Sequence, residues 1–262
     1  MSGIPVSGLH QEEKTVMKIK TMRHPKVKRW QRIIAGQNSD PDFFLSNHFR
    51  IITTALKFGL VEELVLTEGT PAEELFPGEE RILITEEVRN ELKLYSNHFA
   101  LIRKTKKEIS EWKRILLIDS CDEDGVLGTL IRTSRCFGFD GILLTNSKAN
   151  PWGMRTVRAA QESAFIIPIE KMSLPEALRT LKEKGCSMVT VGNRKAVPVE
   201  ELPPFEQMAV VVSGDRSTSF DLMAESDITC RMDFECIDPN ILSANASILM
   251  YAYRNLKGDG LC

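Results

Sequence analysis

The stretch ILLIDSCDEDGVLGTLIRTSRCFGFDGILLTN, residues 115–146, decides the fold. With Arg114 before it, the opening ILLID is an apolar run of strand length, so a buried strand is expected over 114–119. VLGTLIRTSRCFG (126–138) has helical spacing, and GILLTN (141–146) is a second apolar run. Strand, helix and strand in such quick succession make a βαβ unit, whose two strands run parallel.

The alternation continues downstream. A helix is expected after Pro151 through MRTVRAAQES, then a strand at AFIIPI (164–169) and a helix over about 174–184. SMVTV (187–191) and, beyond Pro203 and Pro204, MAVVVS (208–213) are further strands, and a helix over about 242–256 closes the chain. Uninterrupted apolar strands between amphipathic helices indicate an α/β domain over residues 106–262, a mostly parallel sheet with helices on both faces.

Upstream the character changes. RKTKKEISE (103–111) is polar and lysine-rich, which suggests a linker. Residues 36–105 form a small α/β unit. FFLSNHFRIITTALKFG places Phe44, Phe49, Ile52, Ala55 and Leu56 near helical spacing up to a stop at Gly59. Strands follow at 61–67 and 81–85, with a loop between them and a helix over 86–92. Residues 1–35 are a basic N-terminal segment: between Lys14 and Arg32 lie Lys14, Lys18, Lys20, Arg23, Lys26, Lys28, Arg29 and Arg32, with no Asp or Glu in that span. Such a block either neutralises phosphates or forms a solvated helix face.

Apolar residues at 42% and charged residues at 27% are ordinary for a soluble globular chain. The net charge of −2 carries no argument for a polyanion partner, so only the local distribution does. No apolar run reaches the ~20 residues that span a bilayer. The opening MSGIPVSGLHQEEK lacks the apolar core of a signal peptide, so a cytoplasmic protein without a membrane partner is expected. Cys121, Cys136, Cys186, Cys230, Cys236 and Cys262 form no C-x-x-C pair and have no histidine at zinc-site spacing. No metal is expected, and the thiols act mostly as small core residues. Cys121, just after a strand, is the candidate for a reactive one.

The loop after the first strand of the parallel sheet narrows the chemistry. A dinucleotide site needs G-x-G-x-x-G there, so that phosphate can approach a helix N-terminus. DSCDEDGVLG offers only Gly125 and Gly128, among the acids Asp119, Asp122, Glu123 and Asp124, which repel pyrophosphate. A P-loop is absent as well. The acids either hold magnesium or complement the dipole of the following helix.

Gly128, Arg132, Thr133, Phe137 and Gly138 stand in the order of the first motif of SpoU/TrmH-type RNA ribose 2′-O-methyltransferases, and the chain resembles that family. AAQESAFIIP (159–168) weakly echoes the segment that follows this motif. VVVSGDRSTSF (210–220) resembles the second motif, and CRMDFECIDPNILSANASILMYAY (230–253) the third. MRHPKVKRWQRI (22–33) and residues 43–105 resemble the basic opening and small RNA-binding domain of some members. The resemblance implies a trefoil-knotted C-terminal domain, one of the exceptions to the no-knot rule. It also implies S-adenosylmethionine as cofactor, ribosomal or transfer RNA as substrate, and a homodimer with an apolar stripe of the terminal helix (Ile248, Leu249, Tyr251) available for the contact.

Residue by residue, the resemblance assigns the catalytic role to Arg132, as proton acceptor or phosphate anchor. Cofactor contacts fall on Ser213, Gly214 and Asp215, on Cys230 and Met232, and on Asn240, Ile241, Leu242 and Ser243. Gly214 there permits close backbone approach. RNA contacts fall on Lys20, Arg23, Lys26, Lys28, Arg29 and Arg32. The chain departs from the family at Val126 in place of Asn, at Ser213, Asp215 and Thr218 in place of Gly, Glu and Gly, and at Arg231 in place of Pro. In the third motif, alignment on Ser243 puts Ile241 at the Asn position, whereas a one-residue shift puts Asn240 there. Two activities fit this pattern: an active methyltransferase, or a catalytically degenerate RNA-binding protein on the same fold.

Overall fold

A computed structural model describes residues 16–35, 40–192, 196–231 and 242–256. They form two compact units. One contains the described residues up to Asn47 with Val61–Ile102; the other contains His48–Leu60 with the described residues from Arg103 onward.

In the chain's first half lie β1 (Met17–Ile19), α1 (Pro25–Ile34), β2 (Phe43–Ser46), α2 (Phe49–Lys57), β3 (Val61–Thr67), α3 (Ala72–Leu75), β4 (Ile82–Ile84), α4 (Glu86–Glu91) and β5 (His98–Arg103). The five strands form one sheet in the order β1-β4-β3-β5-β2, with β3 parallel to β4 and antiparallel to β5. The expected helical register of Phe44 is corrected, because Phe43–Ser46 is a strand and the helix starts only at Phe49.

The basic opening segment is not separate from the small unit. Pro25 begins α1 with a preset φ, and His24 Nδ1 accepts from the Lys26 N–H at 3.3 Å. The helix buries Val27 and Trp30. The Trp30 ring meets Phe99 edge-on at 5.1 Å, and its indole N–H donates to Glu63 Oε2 at 2.7 Å. Glu63 is buried and also takes the Lys26 ammonium, so its charge is paired where water is excluded.

The second half runs through β6 (Arg114–Asp119), α5 (Asp124–Cys136), β7 (Gly141–Thr145), α6 (Met154–Ala160), a 3-10 turn (Gln161–Phe165), β8 (Ile169–Lys171), α7 (Leu174–Glu183) and β9 (Ser187–Val191). Then come β10 (Val197–Pro198), a 3-10 turn (Val199–Glu201), β11 (Met208–Ser213), α8 (Arg216–Glu225), β12 (Ile228–Arg231) and α9 (Leu242–Leu256). The seven strands are all parallel, in the order β10-β12-β9-β11-β6-β7-β8. One face of the sheet packs Ile115, Leu117, Leu143 and Val211 against Ala177 and Leu181 of α7 and Leu222 of α8. Alternate residues point to the other face, where α9 meets β11 and α5, and α5 meets β7.

Two expectations change here. The strand expected over 164–169 is mostly the 3-10 turn, with Ala164 and Phe165 buried, and only Ile169–Lys171 pairs with β7. The lysine-rich 103–111 stretch is packed into the second unit. Ile109 is buried in the core and its N–H donates to Glu170 at 2.9 Å, while the Trp112 indole donates to the Ile109 carbonyl at 3.1 Å. The chain lays β6, β7 and β8 to one side and places β11 against the other edge of β6. The crevice at the C-terminal ends of β6 and β11 is therefore the topological switch point, where parallel sheets bind ligands.

Candidate functional site

The residues at the switch point are tied to one carboxylate. Asp119, at the end of β6, is fully buried. Its Oδ1 accepts from Thr145 Oγ1 at 2.7 Å and Asn146 Nδ2 at 2.8 Å; its Oδ2 accepts from Ser120 Oγ and Ser213 Oγ, both at 2.8 Å. One side chain thus joins the ends of β6, β7 and β11. Ser120 and Asn146 turn the chain out of the sheet with φ of 51° and 48°. The Gly214 N–H donates to the Asp119 carbonyl at 3.0 Å.

Ser213 stands where the family has Gly, and its hydroxyl explains the exchange: it satisfies Asp119 and accepts from the Asp215 N–H at 3.1 Å. Gly214 is required by the protein itself. A Cβ there would lie 2.4 Å from the Ser120 carbonyl oxygen, so the close approach expected for a ligand is made by the neighbouring loop. Asp215 begins α8. Its Oδ1 accepts from Ser217 Oγ at 2.5 Å and the Thr218 N–H at 2.9 Å, a helix cap that holds the carboxyl below the usual carboxylate range.

The remaining assigned cofactor positions divide. Cys230 is buried in β12 and its carbonyl accepts from the Gly192 N–H at 2.6 Å, so that oxygen already serves the sheet. Leu242 opens α9, with its Cδ2 3.8 Å from where a Gly214 Cβ would be, and the Ser243 carbonyl accepts from Ser247 Oγ at 2.6 Å. Met232, Asn240 and Ile241 lie outside the described residues, as does the third-motif register and the chain path between β12 and α9. Asn245, one turn along α9 from Leu242, is buried, and its amide oxygen has no hydrogen-bond partner among the described residues.

Arg132 sits elsewhere on the first motif. Gly128 lets α5 touch α6: a Cβ there would stand 2.3 Å from the Thr156 carbonyl oxygen and 2.6 Å from Ala159 Cβ. Arg132 and Arg135 follow on the same stripe of α5, one and two turns on, where α6 has given way to the 3-10 turn. There they line a cleft of about 630 Å³ with Arg50, Thr53, Thr54, Lys57, Cys136, Gln161, Glu162 and Ser163. Arg132 is exposed and makes no salt bridge among the described residues, so the alternative of an ion pair with Asp119 or Asp124 is not realised. Asp124 Oδ1 instead accepts from the Asn150 N–H at 3.2 Å, and Asp122 pairs with Lys148 at 2.7 Å. No residue of the Asp119 crevice lines the Arg132 cleft.

The basic segment also divides. Lys26 is paired with Glu63, and Arg29 with Asp40 at 2.9 Å beneath a stacking contact to Phe43. Lys20, Arg23, Lys28 and Arg32 are exposed, and Lys28 and Arg32 share a shallow cleft with Gln31. Cys121 is buried, its thiol pushed up to about 11 by desolvation, which removes it as a reactive candidate. Sequence reasoning did not single out Arg50, Lys57 or Arg135. The signal available for the first two was their seven-residue spacing on one predicted helix.

With this geometry in hand, comparison with known proteins is specific. Residues 113–221 match the SpoU rRNA Methylase family. The chain is 26% identical over 203 residues, 75% of its length, to 82% of the 23S rRNA (guanosine(2553)-2′-O)-methyltransferase RlmP of Bacillus subtilis. In shape it is similar to the AdoMet-bound rRNA methyltransferase from Sinorhizobium meliloti, with TM-score 0.75 and 19% identity over 92% of this chain and 98% of that one. It is similar also to the SpoU methyltransferase AviRb from Streptomyces viridochromogenes, with TM-score 0.73 and 18% identity over 90% and 98%. At these identities the shapes speak to the fold.

Proposed function

We propose that this chain, whose residues 113–221 belong to the SpoU rRNA Methylase family, is an RNA ribose 2′-O-methyltransferase that uses S-adenosylmethionine and acts on ribosomal or transfer RNA. The observation that carries the reading is the pairing of two sites on one strand-turn-helix motif: a switch-point crevice at Asp119 and an uncompensated arginine at Arg132.

The crevice fits the cofactor. Its loops are held from below by Asp119, the Gly214 and Asp215 N–H groups are taken up within the loop itself, and the first turn of α9 begins beside them, where the buried Asn245 oxygen has no donor among the described residues. Ser213, Gly214, Asp215, Leu242 and Ser243 would hold it, with Cys230 closing the sheet beside them. Bound there, S-adenosylmethionine supplies an electrophilic methyl group. Arg132 anchors RNA phosphate: a guanidinium grips phosphate with two parallel N–H donors and has no lone pair with which to accept a proton. Fixing the phosphate fixes the adjoining ribose, and positioning of this kind supplies much of the rate in group transfer. Of the basic segment, Lys20, Arg23, Lys28 and Arg32 remain available to RNA.

The test is Arg132→Ala. Transfer of labelled methyl groups to deproteinised ribosomal RNA should fall by roughly a hundredfold, the scale of losing one charged transition-state contact, while calorimetric affinity for S-adenosylmethionine stays within twofold. Equal loss of both would show that Arg132 shapes the cofactor site instead. One observation favours the second reading, a non-catalytic RNA-binding protein: Asp215, at the family's Glu position, uses its carboxylate to cap α8. Absence of cofactor binding at millimolar concentration by the unmodified chain would select it.

We also propose a cytoplasmic homodimer. Tyr251 stands out from α9 at 56% exposure, edge-on to Phe137 at 6.1 Å, whereas Leu249 of the same stripe is core. Light scattering that finds a monomer at all micromolar concentrations would end that proposal. Among the described residues no helix is long and apolar enough to cross a membrane.

A further inference from the structure

α2 comes from sequence between two strands of the small unit's sheet, yet it packs in the second unit. It is two-faced. Ile51, Ile52 and Ala55 are buried, while Arg50, Thr53 and Lys57 recur at the spacing of one helical face and line the Arg132 cleft. Across the cleft stand Arg132 and Arg135 of α5 and the side chains of Gln161, Glu162 and Ser163.

Four basic side chains share this space with one carboxylate, Glu162, which pairs with Arg135 at 2.7 Å. Arg50, Lys57 and Arg132 are exposed and make no salt bridge among the described residues. Like charges gathered within roughly a Debye length repel one another, so the arrangement lowers stability unless an anion enters. Hydroxyls of Thr54 and Ser163 and the second amide N–H of Gln161, whose first is donated to the Arg158 carbonyl, add neutral donors of the kind that bind phosphate oxygens. Gln161 also holds φ 56° and ψ −142°, a conformation uncommon for a residue with a side chain and found where surroundings impose it. Next to Lys57, Phe58 is half exposed and meets Phe165 edge-on at 6.1 Å, an aromatic side chain of the kind on which bases stack.

We infer that α2 forms the second wall of the RNA site, with Arg50 and Lys57 gripping the phosphates of a single-stranded segment next to the nucleotide positioned by Arg132. The inference rests on the function proposed above for its choice of RNA, and it enlarges that site from one helix to two. One strand carrying a phosphate at every nucleotide suits a cleft of about 630 Å³ whose basic residues are set one or two helical turns apart.

The double variant Arg50→Gln, Lys57→Gln tests it, in the full chain, by filter binding to deproteinised large-subunit ribosomal RNA over a series of potassium chloride concentrations. Without these two grips on phosphate, binding should weaken by roughly tenfold at moderate salt, and the slope of log K against log salt should fall by about one and a half. The RNA KM should rise in parallel, with S-adenosylmethionine affinity at its wild-type value and the melting midpoint at or slightly above wild type, since both side chains are exposed and their loss relieves repulsion. An unchanged slope and affinity overturn the inference, and so does a wild-type chain that fails to bind this RNA. The measurement is independent of the reaction: wild-type protein that transfers no methyl group would overturn the proposed activity while a lowered slope still supported the cleft.

Discussion

The Asp119 crevice and the Arg132 cleft treat charge in opposite ways. At the crevice a carboxylate is removed from water and both its oxygens are used by hydroxyl and amide donors from three strand ends. At the cleft, exposed cations face each other with one acid among them. The first arrangement is complete within the chain and stabilises it; the second is complete only with an anion. Charge that a fold has satisfied holds loops in place, and charge that it has left open identifies what the loops are for.

Asp119→Ala should give the largest effect. It leaves the buried hydroxyls of Thr145 and Ser213 without their acceptor, while the more exposed Ser120 and Asn146 can turn to water, a loss of about 3 kcal/mol in urea unfolding together with cofactor binding. A loss under about 1 kcal/mol would mean that the crevice is not held by this residue. At the cleft, the Arg132→Ala protein should melt within about 0.5 kcal/mol of wild type, shifted if at all toward higher stability at low salt. A large destabilisation there would erase the contrast.

The smallest effect concerns Asp215, which lies between the two regimes. Its folded carboxyl titrates below its unfolded value because the Ser217 hydroxyl and the Thr218 N–H hold the charged form. The cap is therefore at full strength above about pH 4 and is lost as pH falls through the lower, folded value. Asp215→Asn keeps a capping oxygen without the charge, so its melting midpoint should trail wild type at neutral pH and converge with it in acid. A gap that stays constant with pH would deny the carboxylate this role.

The sequence was most legible where burial is two-sided. Ser187–Val191 and Met208–Ser213 are strands at the expected residues, and Leu242–Leu256 is the expected helix, because uninterrupted apolar runs leave few alternatives. α8 was not foreseen: RSTSFDLMAE opens on poor helix formers and shows no apolar stripe, and its start depends on the Asp215 cap. Local pattern also misled at 103–111, where lysines mask one core residue, Ile109. At the site, motif order located Arg132 and Gly214 but not their surroundings. Glu63 and Asp40, distant in sequence, neutralise Lys26 and Arg29, and α2 brings Arg50 and Lys57 to Arg132 only through tertiary packing.

The position of β6 in its sheet has a temporal side. Its partner β11 is made long after it: the Asp119–Ser213 bond joins residues 94 apart. At about 5 to 20 residues per second of synthesis, one edge of β6 waits roughly 5 to 20 s for its neighbour. During that interval α5 and β7 can already have formed on the other side, since their contacts are local. The nascent chain therefore carries a half-finished sheet with an open edge while it is still on the ribosome, which makes rate of synthesis and access to chaperones determinants of its yield.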